Sequence, residues 1–337
     1  MTLRTLHRGF STIARRPVFA AVLILGIFAA PLAAEAQPAG KVWRIGWVNI
    51  TGVPLPESFI QGLTDLGWLE GKNIVFEYRY VSSPAGVQQA AEELVRTRVD
   101  IIVSVSAAHA EQILKATKTI PVVVLAAGEL GSSGLVASLR RPGGNLTGMQ
   151  IYSPELMGKR LQLLKEILPG VSRLVILRPG PLPVGMVNTY LQMTDEAAGK
   201  LGIRTRYVVF ETPATLSGLF SGMVRERDEA LLVWAHPFTR VHSHQILDLA
   251  MKHRLPVIGE IRLFAEHGSL FAYGPKMDEV YRQAATYVDK VLRGANPGDL
   301  PIGQATEFEL IINLKTAKAL GLTIPQSLLL RADQVIQ

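Results

Sequence analysis

The sequence predicts an α/β protein of two doubly wound parallel-sheet lobes joined by a multi-strand hinge. Three observations carry this. Short, continuously apolar runs alternate with segments of helical period, the whole series occurs twice at an offset of roughly 130 residues, and a Pro-Gly-Gly-Asn break separates the two occurrences. Strands that are apolar throughout are buried on both faces, and alternation with helices then implies parallel sheets covered on both sides. At 337 residues, 48% hydrophobic and 19% charged, the chain is long enough and apolar enough for about two well-cored domains.

The first series has strand-like runs at Val42–Val48 (VWRIGWV), Asn73–Tyr80 (NIVFEYRY), Asp100–Ser106 (DIIVSVS) and Ile120–Ala126 (IPVVVLA). Between the first two, Phe59, Ile60, Leu63 and Leu66 share one helical face, and Gly67 supplies the stop. The second run alternates, with Ile74, Phe76, Tyr78 and Tyr80 on one side, while the others are continuously apolar. A helix is expected to end at Arg140 and Arg141, whose charges suit a helix carboxyl end. Pro142 forbids continuation, Gly143 and Gly144 permit a turn, and Asn145–Met149 (NLTGM) is expected to carry the chain to the second lobe.

The second series repeats the first, with runs at Arg173–Pro179, Ile203–Phe210, Ala230–Ala235 and Leu255–Glu260. The punctuation repeats too: DLGWLEGKNIVFEY and KLGIRTRYVVFE both read as helix end, glycine, strand. Gly268–Gly274 (GSLFAYG) has the length of a return crossing, and the helix Met277–Leu292 would then sit back on the first lobe. The resulting plan places a leader at 1–36, an N-terminal lobe at 41–147 plus about 275–300, and a C-terminal lobe at 148–274. The remaining segment, 301–337, reads as a strand, a short helix closed by Gly321 and a final piece, without a lobe assigned.

Two such lobes enclose a cleft lined by the carboxyl ends of both sheets, where loops lead into helix N-termini that favour anionic groups. The candidate ligand-binding residues are Asn49, Thr51, Ser104, Ser106, Gly128, Glu129, Arg178, His236, Phe238, Glu260 and Tyr273, each at a strand end or the return crossing. Ser106 and Thr51 serve equally as helix caps, and Phe238 either stacks on a flat ligand or packs beneath its loop.

Other classes find little support. The formal charge is +7, of which three units lie in the first 36 residues, and the remaining bases are scattered opposite acids, so no nucleic-acid partner is expected. Arginines at 4, 8, 15 and 16, a 13-residue apolar run and Ala-Glu-Ala at 34–36 read as an export signal cleaved after Ala36. The run is too short and too interrupted, by Pro31 and Glu35, for a membrane span. Arg15-Arg16 leaves the general and twin-arginine export routes both open. With no cysteine, disulfides, thiolate metal sites and lipidation of an N-terminal cysteine are excluded. A periplasmic protein that acts as a monomer, with no cofactor and no metal, is expected. His236, His242 and His244 lack zinc-site spacing. No phosphate loop, nucleophile elbow, HExxH or GxGxxG occurs, and the one imaginable hydrolytic pairing is His236 with Ser104 or Ser106, so no enzyme is expected.

The stretches GLTDLGWLEGKNIVFEYRY, GLVASLRRPGGNLTG, ELMGKRLQLLKEILPGVSRLVIL, FAEHGSLFAYG and FELIINLKTAKALGLTIPQSLLLRADQVI resemble the substrate-binding proteins of ABC transporters, specifically the group related to the tryptophan and tyrosine transport system binding protein. The resemblance implies a type I periplasmic binding fold, capture of a small solute between the lobes, and delivery to a membrane permease driven by a separate ATPase. Its alternative is a ligand-sensing module for a membrane receptor. Three stretches depart from the family pattern. SVSAAH stands where a Gly-Thr-Pro turn is common, AGELG where many members read Gly-Asp-Pro, and HPF where Asp-Pro-Phe is usual. Loss of two cleft aspartates, with Glu129 and Arg178 kept, leaves an amino acid and an aromatic or other organic acid both open as ligand.

Overall fold

A computed structural model describes residues 41–337, apart from 83, 129, 132, 152, 153, 181 and 183; the leader at 1–36 lies outside the described residues. The first half forms β1 (Trp43–Ile50), α1 (Glu57–Asp65), β2 (Ile74–Val81), α2 (Val87–Arg96), β3 (Ile101–Ser104), α3 (Ala107–Ala116), β4 (Val122–Ala127) and β5 (Leu146–Gln150). The second repeats it with α4 (Pro154–Ile167), β6 (Arg173–Pro179), α5 (Val184–Lys200), β7 (Arg204–Phe210), α6 (Leu216–Arg225), β8 (Ala230–Val233), α7 (Pro237–Val241), α8 (Ser243–Lys252), β9 (Val257–Gly259), α9 (Arg262–Glu266) and β10 (Phe271–Pro275). The chain ends with α10 (Met277–Leu292), β11 (Gly303–Gln304), β12 (Phe308–Asn313), α11 (Leu314–Leu320), α12 (Gln326–Leu329) and β13 (Gln334–Ile336).

Two sheets result. The first has strand order β11-β5-β4-β3-β1-β2 and the second β13-β12-β10-β9-β8-β6-β7. All pairings are parallel except β10 with β12. The orders 2-1-3-4-5 and 7-6-8-9-10 are the same doubly wound pattern, and each reverses direction once, between β1 and β3 and between β6 and β8. Ile45, Trp47, Ile101, Val103 and Val123 point from the first sheet into a core closed by α1 and α10, while Val175, Leu177, Leu231 and Val233 do the same in the second against α6 and α8. Burying both faces removes each central strand from water, which is why the runs carry no polar alternation.

Two expectations about the first crossing are corrected. No helix ends at Arg140 and Arg141: residues 133–141 run through bends, and Gly131, Ser133 and Gly134 disfavour a helical start. The stretch Asn145–Met149 does not cross; Leu146–Gln150 is β5, paired with β4, and the chain leaves the first sheet after Gln150. Gly148 looks like a turn residue because it is one conformationally (φ +135°), but its reason is packing: a Cβ there would fall inside the Val124 carbonyl of β4. The tail divides between the sheets. β11 pairs with β5, whereas β12 and β13 extend the second sheet beyond β10. Three connections therefore join the lobes, β5 to α4, β10 to α10 and β11 to β12.

Candidate functional site

In a doubly wound sheet the loops diverge at the strand-order reversal, leaving a crevice outside the carboxyl ends of the strands. Each sheet has one such reversal, and the segments that follow β3 and β8 meet there. The end of β3 passes into α3 through Ser104, Val105 and Ser106. Ser106 is the N-cap, its Oγ accepting from the His109 backbone N–H at 3.2 Å. The end of β8 passes into α7 through Trp234, Ala235 and His236. His236 is also an N-cap: its Nδ1 accepts from the Phe238 N–H at 3.2 Å, and Thr239 Oγ1 accepts from the His236 N–H at 3.0 Å.

These two caps place His109 of one lobe against His236 of the other, ring centroids 6.1 Å apart and nearly perpendicular. His109 is fully buried and His236 is 6% exposed. Burial pushes the His109 imidazole down to about 4; burial, and then the repulsion expected from His109, pushes His236 down to about 3. Both rings are neutral at neutral pH. Since His236 Nδ1 is an acceptor, its proton sits on Nε2, which has no partner; neither does either ring nitrogen of His109 or the buried Ser104 Oγ. Buried polar atoms without partners are few in folded proteins. Among those of this protein, His109, His236 and Arg240 Nε meet where the lobes come together.

Beside His236 lies a 20 Å³ cavity lined from the first lobe by Val105, Ala126, Met277 and Tyr281, and from the second by His236, Arg240 and Ile261. A second 20 Å³ cavity, touching Gly128, Trp234, Glu260 and Pro275, adjoins it through Ile151, Ala235 and Ile261. Each has room for about one water molecule. A pocket of 690 Å³ opens beside the first, sharing Arg240, Ile261, Met277 and Tyr281 with it. The lobes are closed on one another in this arrangement.

Of the residues proposed from sequence, Gly128, Glu260 and His236 line the two cavities at this closure, while Ser104 and Ser106 flank Val105, which lines one of them. Glu129 lies outside the described residues. Asn49 is engaged by its own turn, its Oδ1 accepting from Ile50 N–H at 2.8 Å and its Nδ2 donating to the Val53 carbonyl at 3.3 Å. Thr51 is exposed and bonds the Val81 carbonyl through both N–H and Oγ1, closing the β1–β2 pair rather than capping a helix. Arg178 donates to the Pro179 carbonyl, with Nε unpartnered. Phe238 takes the packing role: it stacks on Phe210 with centroids 4.8 Å apart and meets His242 edge-on. His242 thus faces Phe238 while His244 stacks on His267 at 3.8 Å, so the histidines near His236 diverge.

Glu260 is the cleft's buried carboxylate, and its oxygens are engaged. Oε1 accepts from Arg160 at 2.9 Å and from the Tyr190 hydroxyl at 3.0 Å; Oε2 accepts from the Ala235 N–H at 2.7 Å. Arg160 also donates to the carbonyls of Tyr273 and Glu260, which ties the return crossing to the cleft floor. Tyr273 contributes that carbonyl, while its ring lies half-buried toward Phe308. Sequence reasoning missed Arg160, Tyr190, His109 and Arg240. His109 alone carried a local signal, a histidine three residues after a serine at a strand-to-helix junction.

The fold and the closed, polar-lined seam define a two-lobed solute-binding protein. A family model described as ABC transporter substrate binding protein matches residues 55–336. The "Tyrosine-binding protein" of Clostridioides difficile is 26% identical over 272 residues, covering 79% of this chain and 76% of that one. Among solved structures, a conserved domain protein of Vibrio cholerae superposes with TM-score 0.80 at 27% identity, and an ABC domain in complex with L-Trp from Streptococcus pneumoniae with TM-score 0.80 at 22% identity; each comparison covers 88% of this chain and 100% of the other. The chain belongs to the ABC transporter substrate-binding protein family.

Proposed function

We propose that residues at the seam between the lobes, His109, Ser104, His236 and Arg240 foremost, capture a small organic solute for an ABC permease, and that the protein is not an enzyme. The single observation carrying this reading is the set of buried, unpartnered polar atoms contributed by both lobes. Each leaves a donor or acceptor out of water at a cost of about 1–3 kcal/mol, and a solute bridging the lobes would supply the missing partners. A solute that touches both lobes favours closure by its differential affinity for the closed form; moving the lobes from about 1% to about 99% closed takes about 5.5 kcal/mol. The permease then reads the closed shape.

Hydrolysis finds no support at the seam: His236 Nδ1 accepts from the Phe238 N–H, which leaves Nε2 protonated and unable to take a proton, and neither Ser104 Oγ nor Ser106 Oγ hydrogen-bonds the ring. Ligands of the relatives, tyrosine in one and L-Trp in another, make amino acids the first solutes to try, with aromatic and other organic acids beside them. The sequence of 1–36 favours export to the periplasm, where such a protein meets its permease.

The test is a thermal-shift screen of the purified protein against amino acids, aromatic acids, sugars and purines. A true ligand at about 100 times its Kd adds about 2.7 kcal/mol of stability, a clear rise in Tm. Absence of a shift with every solute class would remove the solute-capture reading.

A further inference from the structure

We infer that the cleft is selective for a carboxylate without an ammonium group, with Arg240 as its charge partner. This rests on the solute-capture reading above. Arg240, on α7, reaches across the seam so that its Nη1 donates to the Tyr281 hydroxyl of α10 at 3.2 Å. Its Nε is buried without a partner, and no carboxylate among the described residues lies within ion-pair distance of it. It lines both the inner cavity and the 690 Å³ pocket, so its guanidinium stands between the buried seam and the open side of the cleft.

The hydrogen-bonding character of the inner seam agrees. His236 presents an Nε2–H, because its other nitrogen already accepts; Ser104 presents a hydroxyl and Arg240 an N–H. His109 adds one donor and one acceptor beside the positive end of α3, a ten-residue helix. A carboxylate, which only accepts, satisfies the donors of this set. An ammonium needs acceptors. Six acids line the 690 Å³ pocket, but Glu266 and Glu309 pair with Arg262, Glu307 with Lys276 and Glu279 with Arg282, which leaves Glu57 and Asp278 at the start of α1 and α10. The one acidic side chain among the described residues lining the two inner cavities is Glu260, already holding Arg160, Tyr190 and the Ala235 N–H. Moving Glu260 toward a ligand would strand Arg160, which is 2% exposed.

Matched pairs that differ only in the amino group test the inference by calorimetry on the purified protein: L-tyrosine with 3-(4-hydroxyphenyl)propionate, L-tryptophan with indole-3-propionate, and L-leucine with 4-methylpentanoate, plus tyramine as the cation alone. The expected result is that at least one acid binds about tenfold or more tighter than its amino acid, that tyramine does not bind, and that Arg240→Gln weakens the acid about 10- to 100-fold while Arg240→Lys retains part of the affinity. Equal Tm values for both variants and the parent exclude misfolding as the cause. An amino acid binding as tightly as its acid, or unchanged acid affinity in Arg240→Gln, overturns the charge assignment and leaves solute capture standing. So does a sugar or purine that binds when none of the acids does. If no solute of any class binds, the solute-capture reading falls with it.

Discussion

Acidification should destabilise the closed protein through two histidines, His109 and His236. In the unfolded chain each titrates near the ordinary 6.5; in the folded one they are held down to about 4 and about 3. Between those values the unfolded state binds more protons than the native state, so stability present above pH 6.5 is lost as the pH falls toward the folded values. At pH 5 the difference is about 1.5 pH units per ring, or about 2 kcal/mol each and about 4 kcal/mol for the pair, against an expected total stability of about 5–15 kcal/mol. Urea unfolding at pH 7.5, 6 and 5 measures this, with His109→Gln and His236→Gln as controls for the carboxylates that also titrate. The parent should lose about 2 kcal/mol more than either single variant over that range. Parallel pH dependences in the parent and the double variant would refute the reasoning, because they would mean the rings are not held neutral by burial at the seam.

Three further outcomes follow from the packing. Arg160→Ala leaves the Glu260 carboxylate buried and unpaired and should cost about 3–5 kcal/mol, read as a lowered urea midpoint; a loss under about 1 kcal/mol would show the pair to be solvated. Gly274→Ala should destabilise by about 3 kcal/mol or more, since its Cβ would fall inside the Glu260 carbonyl, and an unchanged Tm would contradict the close approach of β10 to that loop. Phe238→Ala should cost about 3–5 kcal/mol through its lost contact with Phe210, with solute affinity changed far less than by Arg240→Gln; the reverse pattern would place Phe238 in the site.

Much of this architecture was legible because it is local. Buried parallel strands such as Arg173–Pro179 have an unbroken apolar middle, Leu174–Leu177, and Met277–Leu292 has an unbroken helical period, so both elements coincide with their sequence-based bounds. The first crossing was misplaced because Gly148 has the backbone of a turn for a reason 24 residues away, the Val124 carbonyl. Residues at the strand ends were identifiable, since parallel sheets dictate where loops converge, but their roles were not. Ser106 and His236 both cap helices and only His236 lines the seam cavity, Phe238 packs against Phe210, and Glu260 is engaged by Arg160 from 100 residues earlier. No periodicity encodes that pairing or the one between Arg240 and Tyr281, which lie on different lobes. The histidine pair is of the same kind: each member reads as a cap-region residue in its own segment, and their meaning comes only from apposition.

The central claim is that a solute closes two hinged lobes upon itself, and a distance measured between them tests it most directly. The sequence contains no cysteine, so Thr64→Cys on α1 and Ser217→Cys on α6, both exposed, give one spin label per lobe without background. Pulsed electron–electron resonance should show a broad distance distribution in the free protein that collapses to a single shorter distance when a stabilising solute is added. A distribution that stays the same under saturating solute would contradict the account.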